Sequence, residues 1–430
     1  MNRALIIGMA AASILSACTT TTSSTTPGTT APVATDSGWP ERTVAEMGSA
    51  AAAAEIRARG PWEPPSDRHC ESGGILLDGH FSAGQLGDCT PGEDGAFTLT
   101  LYPENAPPIN PSPWFAVRVS GSEGDTLSLT IDVDRFKARY WPKYSVDGEH
   151  WAPLPDTQAR FVDDGAVMQI DMTLTQSVAW IAGGELLTDS WYQAWLRDLG
   201  DSGEVDVSLL GESAQGRPLW LAATAPKPEM VMFIGRQHPP EVTGALTMHP
   251  FVETVFADTD LARAFRDRFQ VVMVPLVNPD GVALGHWRHN TGGVDLNRDW
   301  GPFTQPETRA VRDWLAANIS DDHRIRLLLD FHSTKRNLFY THLDTDVTDP
   351  PNVARDWLAA GAARLPDYAF TREASAPGEQ ANSKNWFFST YGIPSVTYET
   401  GDETDREAIR HSATVFAEEM MKVMLATPAP

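Results

Sequence analysis

The sequence predicts a two-part chain: an antiparallel β-sandwich, then an α/β domain whose mixed, twisted sheet is wrapped by helices. Three observations predict it. Between about Gly73 and Gly184, short stretches alternate apolar and polar residues with period two, and turn-rich pieces separate them. From about Leu187 onward, apolar strand-like runs alternate with segments of helical spacing. Four polar residues, His238, Glu241, His332 and Glu399, stand where three of those runs give out. An open α/β sheet keeps its ligand crevice at the carboxyl ends of its strands.

Taken from the N-terminus, the first element is a targeting segment. Asn2-Arg3 supply a basic start, and Ala4–Leu15 is apolar but too short to span a bilayer as a stable anchor. It ends in Leu15-Ser16-Ala17-Cys18, which resembles the bacterial lipoprotein cleavage box. The resemblance makes Cys18 the lipidated first residue of an exported protein on the periplasmic face of a membrane. Thr19, in place of Asp, points to the outer membrane. Residues 19–40 are rich in Ser, Thr and Pro and read as a disordered tether. Val44–Arg59 favours helix. The expected units are a signal peptide at 1–18, the tether at 19–40, the sandwich at 41–186 and the α/β domain at 187–430.

In the sandwich, strands are expected at Ala96–Tyr102, Trp114–Val119, Thr126–Val133 and Val167–Leu174. No catalytic cluster falls inside it. Trp141, Tyr144 and Trp151 are expected to pack in the core. Cys70 and Cys89 are 19 apart, which in an exported protein suggests one disulfide. The formal net charge of −24 sets nucleic acid and anionic lipid aside as partners. Oligomeric state is not legible.

In the α/β part, Met230–Gln237 reads as a buried strand ending in His238-Pro-Pro-Glu241, and Val242–Ala257 as the helix that follows. Val271–Val277 is a strand ending in a tight turn at Asn278–Gly281. Thr304-Gln-Pro-Glu307 has the form of a capping box before an amphipathic helix. Ile325–Phe331 ends in His332, Pro394–Tyr398 ends in Glu399, and Asp405–Ala426 is a long closing helix. Two imidazoles and a carboxylate form a catalytic zinc set with one coordination position left open. A further carboxylate beside it can take a proton from water. The prediction is therefore one Zn2+ per chain on His238, Glu241 and His332. Arg288 and Arg298 lie between the ligands in sequence, and guanidinium groups suit the capture of a carboxylate or an oxyanion.

These motifs together resemble the zinc carboxypeptidase (carboxypeptidase A-like, or funnelin) family. The quoted elements are Leu210–Pro218, His238-Pro-Pro-Glu241, Asn278-Pro-Asp-Gly281, Trp287-Arg288, Gly293–Arg298, Asp330-Phe-His332 and Thr397-Tyr-Glu399. The N-terminal part, with Phe81–Leu86, Trp114-Phe115 and Tyr140–Tyr144, is similar to the β-domain of the cytosolic-carboxypeptidase branch. The resemblance implies Glu399 as general base and Arg288 as the group that polarises the scissile carbonyl. It implies that Asn297 and Arg298 bind the terminal carboxylate of a peptide or protein. It also aligns Lys384 with the base of the pocket for the terminal side chain, so an acidic terminal residue is expected to be preferred. Where the family carries a mobile-loop tyrosine, this chain has Pro377, and no residue takes that role.

Three other readings share these features. A zinc deacylase of small acylated amino acids has the same metal set. A peptidoglycan stem-peptide hydrolase would use the same site on a cell-wall substrate. A peptide-binding lipoprotein with a dead site would have lost a ligand or the base, and none is missing.

Overall fold

The computed structural model describes residues 68–105, 112–134 and 136–429. The lipoprotein signal with Cys18, the tether and the Val44–Arg59 stretch lie outside these residues. No helix among the described residues is long and apolar enough to cross a membrane.

The first part contains β1 (His69–Ser72), β2 (Ile75–Asp78), β3 (Asp88–Pro91), β4 (Ala96–Leu101), β5 (Ala116–Ser120), β6 (Thr126–Val133), β7 (Lys143–Ser145), β8 (Ala152–Pro153), β9 (Ala159–Val162), β10 (Val167–Thr173) and β11 (Val178–Ala182). One sheet runs β1-β2-β5-β11-β7-β8 and the other β3-β4-β6-β10-β9. The ladders are antiparallel apart from β4 with β6, which pair in parallel. Period two does the folding here: Leu127, Leu129, Ile131 and Val133 of β6 point inward, with polar residues between them. Cys70 and Cys89 form the expected disulfide, which ties β1 of one sheet to β3 of the other. Trp141, Tyr144 and Trp151 are partly buried against the core.

The second part contains β12 (Asp206–Glu212), β13 (Pro218–Ala223), β14 (Glu229–Gly235), β15 (Phe269–Val274), β16 (Arg324–Thr334), β17 (Leu338–His342), β18 (Thr371–Ser375) and β19 (Ser395–Gly401). They form one mixed sheet in the order β12-β13-β15-β14-β16-β19-β17-β18. The central strands β15, β14, β16 and β19 are parallel to one another. Every residue of β14 is buried, which a strand covered by helices on both faces requires. The helix Val242–Val255 packs on this sheet and against the closing helix Arg406–Ala426.

The structure departs from the sequence expectations at three places near the site. His332 and Glu399 do not end their strands. They pair with each other across β16 and β19, and the ladder continues to Thr334 and Gly401. Backbone pairing outlasts the apolar run because His332 is accommodated at a buried position and Glu399 at a partly buried one. The Thr304–Glu307 capping box does not form: the helix Pro306–Asn318 has Gln305 at its N-cap, with no side-chain cap. Asp299 accepts from the Thr304 N–H and hydroxyl, while Glu307 accepts from Ala214 N and Asn290 Nδ2. Asn278 is an N-cap rather than part of a free turn. Its Oδ1 accepts from Gly281 N at the start of the helix Pro279–Leu284.

Three ion pairs cross between the parts and land on the turn after β19 and the first residue of the closing helix. They are Arg139 with Asp402, Lys143 with Glu403, and Glu185 with Arg406.

Candidate metal and catalytic site

His238 follows β14 on a loop that is held from several sides. Arg236, buried and left-handed at φ 53°, turns its side chain back so that Nε donates to Pro239 O at 2.8 Å. Gln237 donates from Nε2 to Asp330 and accepts from Trp300 Nε1. Pro239 and Pro240 stiffen the short span to Glu241, and the helix Val242–Val255 begins immediately after it. This helix runs close to β16. A Cβ on Gly244 would sit 2.7 Å from His332 O, so only glycine fits there. Gly244 N and the Thr243 hydroxyl both donate to Ser333 Oγ.

This local architecture brings three ligand atoms together. His238 Nδ1 lies 2.8 Å from Glu241 Oε1, and His332 Nδ1 lies 2.7 Å from Glu241 Oε2. The donor atoms of the three residues all lie within 4.8 Å of one another, and all three residues are buried. The far nitrogen of each ring faces a carboxylate. His238 Nε2 is 2.9 Å from Asp295 Oδ1, and His332 Nε2 is 2.9 Å from Asp330 Oδ2. Such partners fix ring orientation and tautomer and raise the basicity of the inner nitrogen. The donor chemistry therefore fits a zinc ion: two Nδ1 atoms and one carboxylate turned inward, each imidazole backed by an anion.

The charges are arranged to match. Burial opposes ionisation of Glu241, but His238 and His332 outweigh it and hold its carboxyl well below the usual range. Burial likewise opposes the charged form of His332, but Asp330 and Glu241 push its pKa well above the ordinary value. Glu399 sits one strand away, opposite His332. The residue is only partly buried, yet its Oε2 is sealed from solvent and has no hydrogen-bond partner. Burial first, and the Glu241 charge second, push its pKa up to about 7.

Arg288, Asn297 and Arg298 gather around this centre. Arg288 Nε donates to Asp295 Oδ2 at 2.7 Å. Asn297 is buried, with Oδ1 accepting from Ser383 N and Nδ2 3.3 Å from His332 Nε2. Arg298 is exposed and bonds the Asn297 carbonyl. Lys384, on the helix Ser383–Tyr391, is 5% exposed, and its ammonium has no ion pair among the described residues. Burial lowers its pKa to about 8, with Asp346 pulling the other way. Residues without an expected role also surface here. Asp330 and His332 are two apart on one strand and therefore share a face, a signal that was readable in the sequence. His342, buried and stacked on Phe388, has an unpartnered Nδ1 and donates from Nε2 to the Lys384 carbonyl.

A family model for zinc carboxypeptidases matches residues 192–421. The chain belongs to the zinc carboxypeptidase family. Relatives of this family member include an uncharacterized Zymomonas mobilis protein, 28% identical over 51% of this chain and 58% of that one. Mouse cytosolic carboxypeptidase 6 is 31% identical over 30% of this chain and 27% of its own length. The chain thus spans less than two thirds of these curated relatives. Among solved structures, a metallo-carboxypeptidase from Burkholderia cenocepacia superposes with TM-score 0.67 at 23% identity, covering 82% of this chain and 98% of that one. One from Pseudomonas aeruginosa, in complex with (2-guanidinoethylmercapto)succinic acid, superposes with TM-score 0.65 at 18% identity, covering 81% and 98%. Both cover the sandwich as well as the sheet, so the two-part architecture is shared.

Proposed function

We propose that this protein is a zinc-dependent metallocarboxypeptidase that removes the C-terminal residue of peptides or proteins and prefers an acidic one. One observation carries the reading: His238, Glu241 and His332 converge on one point, with the unpartnered carboxylate oxygen of Glu399 on the neighbouring strand. A zinc ion held by these three residues would supply Lewis acidity toward water and toward the scissile carbonyl. Glu399 takes the proton released as water adds to that carbonyl and delivers it to the leaving amine. Arg288, steadied by Asp295, stabilises negative charge on the carbonyl oxygen. Arg298 has a guanidinium suited to the substrate's terminal carboxylate, and Asn297 lies beside it.

The acidic preference rests on Lys384. Ser383, the residue before it, bonds Asn297 and Asp330 beside His332, which supports a place for the Lys384 helix at the edge of the site. A carboxylate side chain would give that charge the partner it lacks, and an apolar one would strand it. We further place the mature protein as a lipoprotein anchored through Cys18 on the periplasmic face of an outer membrane. Incorporation of a labelled fatty acid that Cys18→Ser abolishes tests that placement. The activity is tested by comparing turnover of free-acid peptides and N-acyl amino acids, with and without zinc. Turnover of only the acyl amino acids would replace this reading with a deacylase.

A further inference from the structure

The sandwich reaches the site at a point separate from the three ion pairs. Glu104, just after β4, turns its carboxylate onto three successive backbone amides. Oε1 accepts from Trp287 N, and Oε2 accepts from Arg288 N at 2.9 Å and from His289 N at 3.0 Å. The Glu104 side chain is 11% exposed, so these bonds are largely shielded from water. Consecutive N–H groups turned to one side make a cradle for an anion. Here a carboxylate from the other part of the molecule fills it.

The middle residue of the cradle is Arg288. Its guanidinium is held by Asp295, which also touches His238. The strip is fixed at its two ends by His286 N to Gly281 O and by Asn290 N to Val294 O. Between those ends, Glu104 is the partner of the backbone amides. Loss of its carboxylate leaves three amides to find water and frees the backbone from which the Arg288 side chain starts.

We propose that Glu104 is a positioning residue of the active site, which sets the Arg288 guanidinium through the amides of 287–289, so that the sandwich takes part in catalysis. The inference rests on the carboxypeptidase reading, with Arg288 acting on the carbonyl oxygen. The guanidinium acts most strongly as charge develops on that oxygen, so misplacing it lowers kcat more than it raises KM. A displacement of about an ångström costs up to roughly 100-fold.

The test uses the full zinc-loaded chain and a free-acid peptide. Glu104→Ala is expected to lower kcat roughly 10- to 100-fold, with KM and zinc content nearly unchanged. Glu104→Gln keeps one acceptor oxygen and recovers part of the loss. In an Arg288→Ala background, Glu104→Ala adds little. Amide hydrogen exchange at 287–289 speeds up in both Glu104 variants. The inference is overturned if Glu104→Ala keeps the wild-type kcat, or if it costs the same factor with and without Arg288. If Glu104→Ala does not fold, Glu104→Gln alone decides: unchanged kcat and unchanged exchange overturn the inference. A wild type with no peptidase turnover removes the carboxypeptidase reading instead, and the exchange measurement still reports whether Glu104 holds the strip.

Discussion

Replacing Lys384 with alanine gives the most discriminating test of substrate choice. Lys384 is 5% exposed and makes no ion pair among the described residues, although its charge feels Asp346. The protein therefore carries a largely desolvated charge that Asp346 offsets only in part. Truncating one member of a buried, hydrogen-bonded charge pair costs about 2–5 kcal/mol. The substrate side chain enters from solvent, so the low end applies, about 2–3 kcal/mol. At about 1.4 kcal/mol per factor of ten, this is roughly a 30- to 150-fold fall in kcat/KM on Glu-terminated peptides. Leu-terminated peptides meet no lost partner and should change by only a few-fold. The assay is a pair of peptides that differ only in the last residue, run on wild type and variant. Acidity supplies an internal check. Burial sets the Lys384 pKa at about 8, so the ammonium is present below that pH and lost above it. The Glu-over-Leu ratio should therefore be highest below pH 8 and fall as pH rises through it, with a bound carboxylate shifting the fall upward. A wild type that prefers Leu or Phe, or a ratio that Lys384→Ala leaves unchanged, would refute the reasoning.

Three further outcomes follow from the same geometry. Glu399→Gln should retain one zinc per chain by metal analysis while kcat drops roughly 10²- to 10⁴-fold, and near-normal turnover would remove Glu399 from the mechanism. C-terminally amidated peptides should be poor substrates, because Arg298 then faces no carboxylate; equal rates on amide and free acid, measured by release of the last residue, would assign Asn297 and Arg298 elsewhere. Asp295→Asn should weaken zinc affinity roughly 10- to 100-fold in a chelator competition. The affinity of the wild type should itself decline as pH falls, since His238 and His332 have raised pKa values and must lose protons to bind metal.

The parts of the site that were legible in the sequence are those written in local chemistry. The strand β14, the loop His238-Pro-Pro-Glu241 and the helix after it are contiguous, and period and proline placement announce them. His332 and Glu399 were legible as polar residues ending apolar runs, but their direct pairing across β16 and β19 depends on register, which no single strand encodes. The capping-box expectation at Thr304–Glu307 failed because tertiary partners outbid the local ones: Asp299 takes Thr304, and Glu307 is drawn to Ala214 and Asn290. Glu104 was the least legible of all. It lies 183 residues before the first of the amides it holds, in a segment with no motif, and its role exists only once the two parts of the chain meet.

The two glutamates of the site show how one residue type is divided between two tasks. Glu241 and Glu399 are both carboxylates close to His238 and His332, and burial acts against the charge of each. The difference lies in their contacts. Glu241 sets one oxygen against each imidazole, so it stays ionised, as the proposed ligand role requires. Glu399 has no such contact at Oε2 and also feels the negative charge of Glu241, so its pKa rises to about 7. Two carboxyl groups whose environments push their pKa values apart mark an acid–base division of labour. A cation held by these ligands would favour the ionised form of Glu399, the form needed to accept a proton from water. The strand register that sets Glu399 opposite His332, with its Oε2 unpartnered, is therefore what suits it to the proposed role of base and not of fourth ligand.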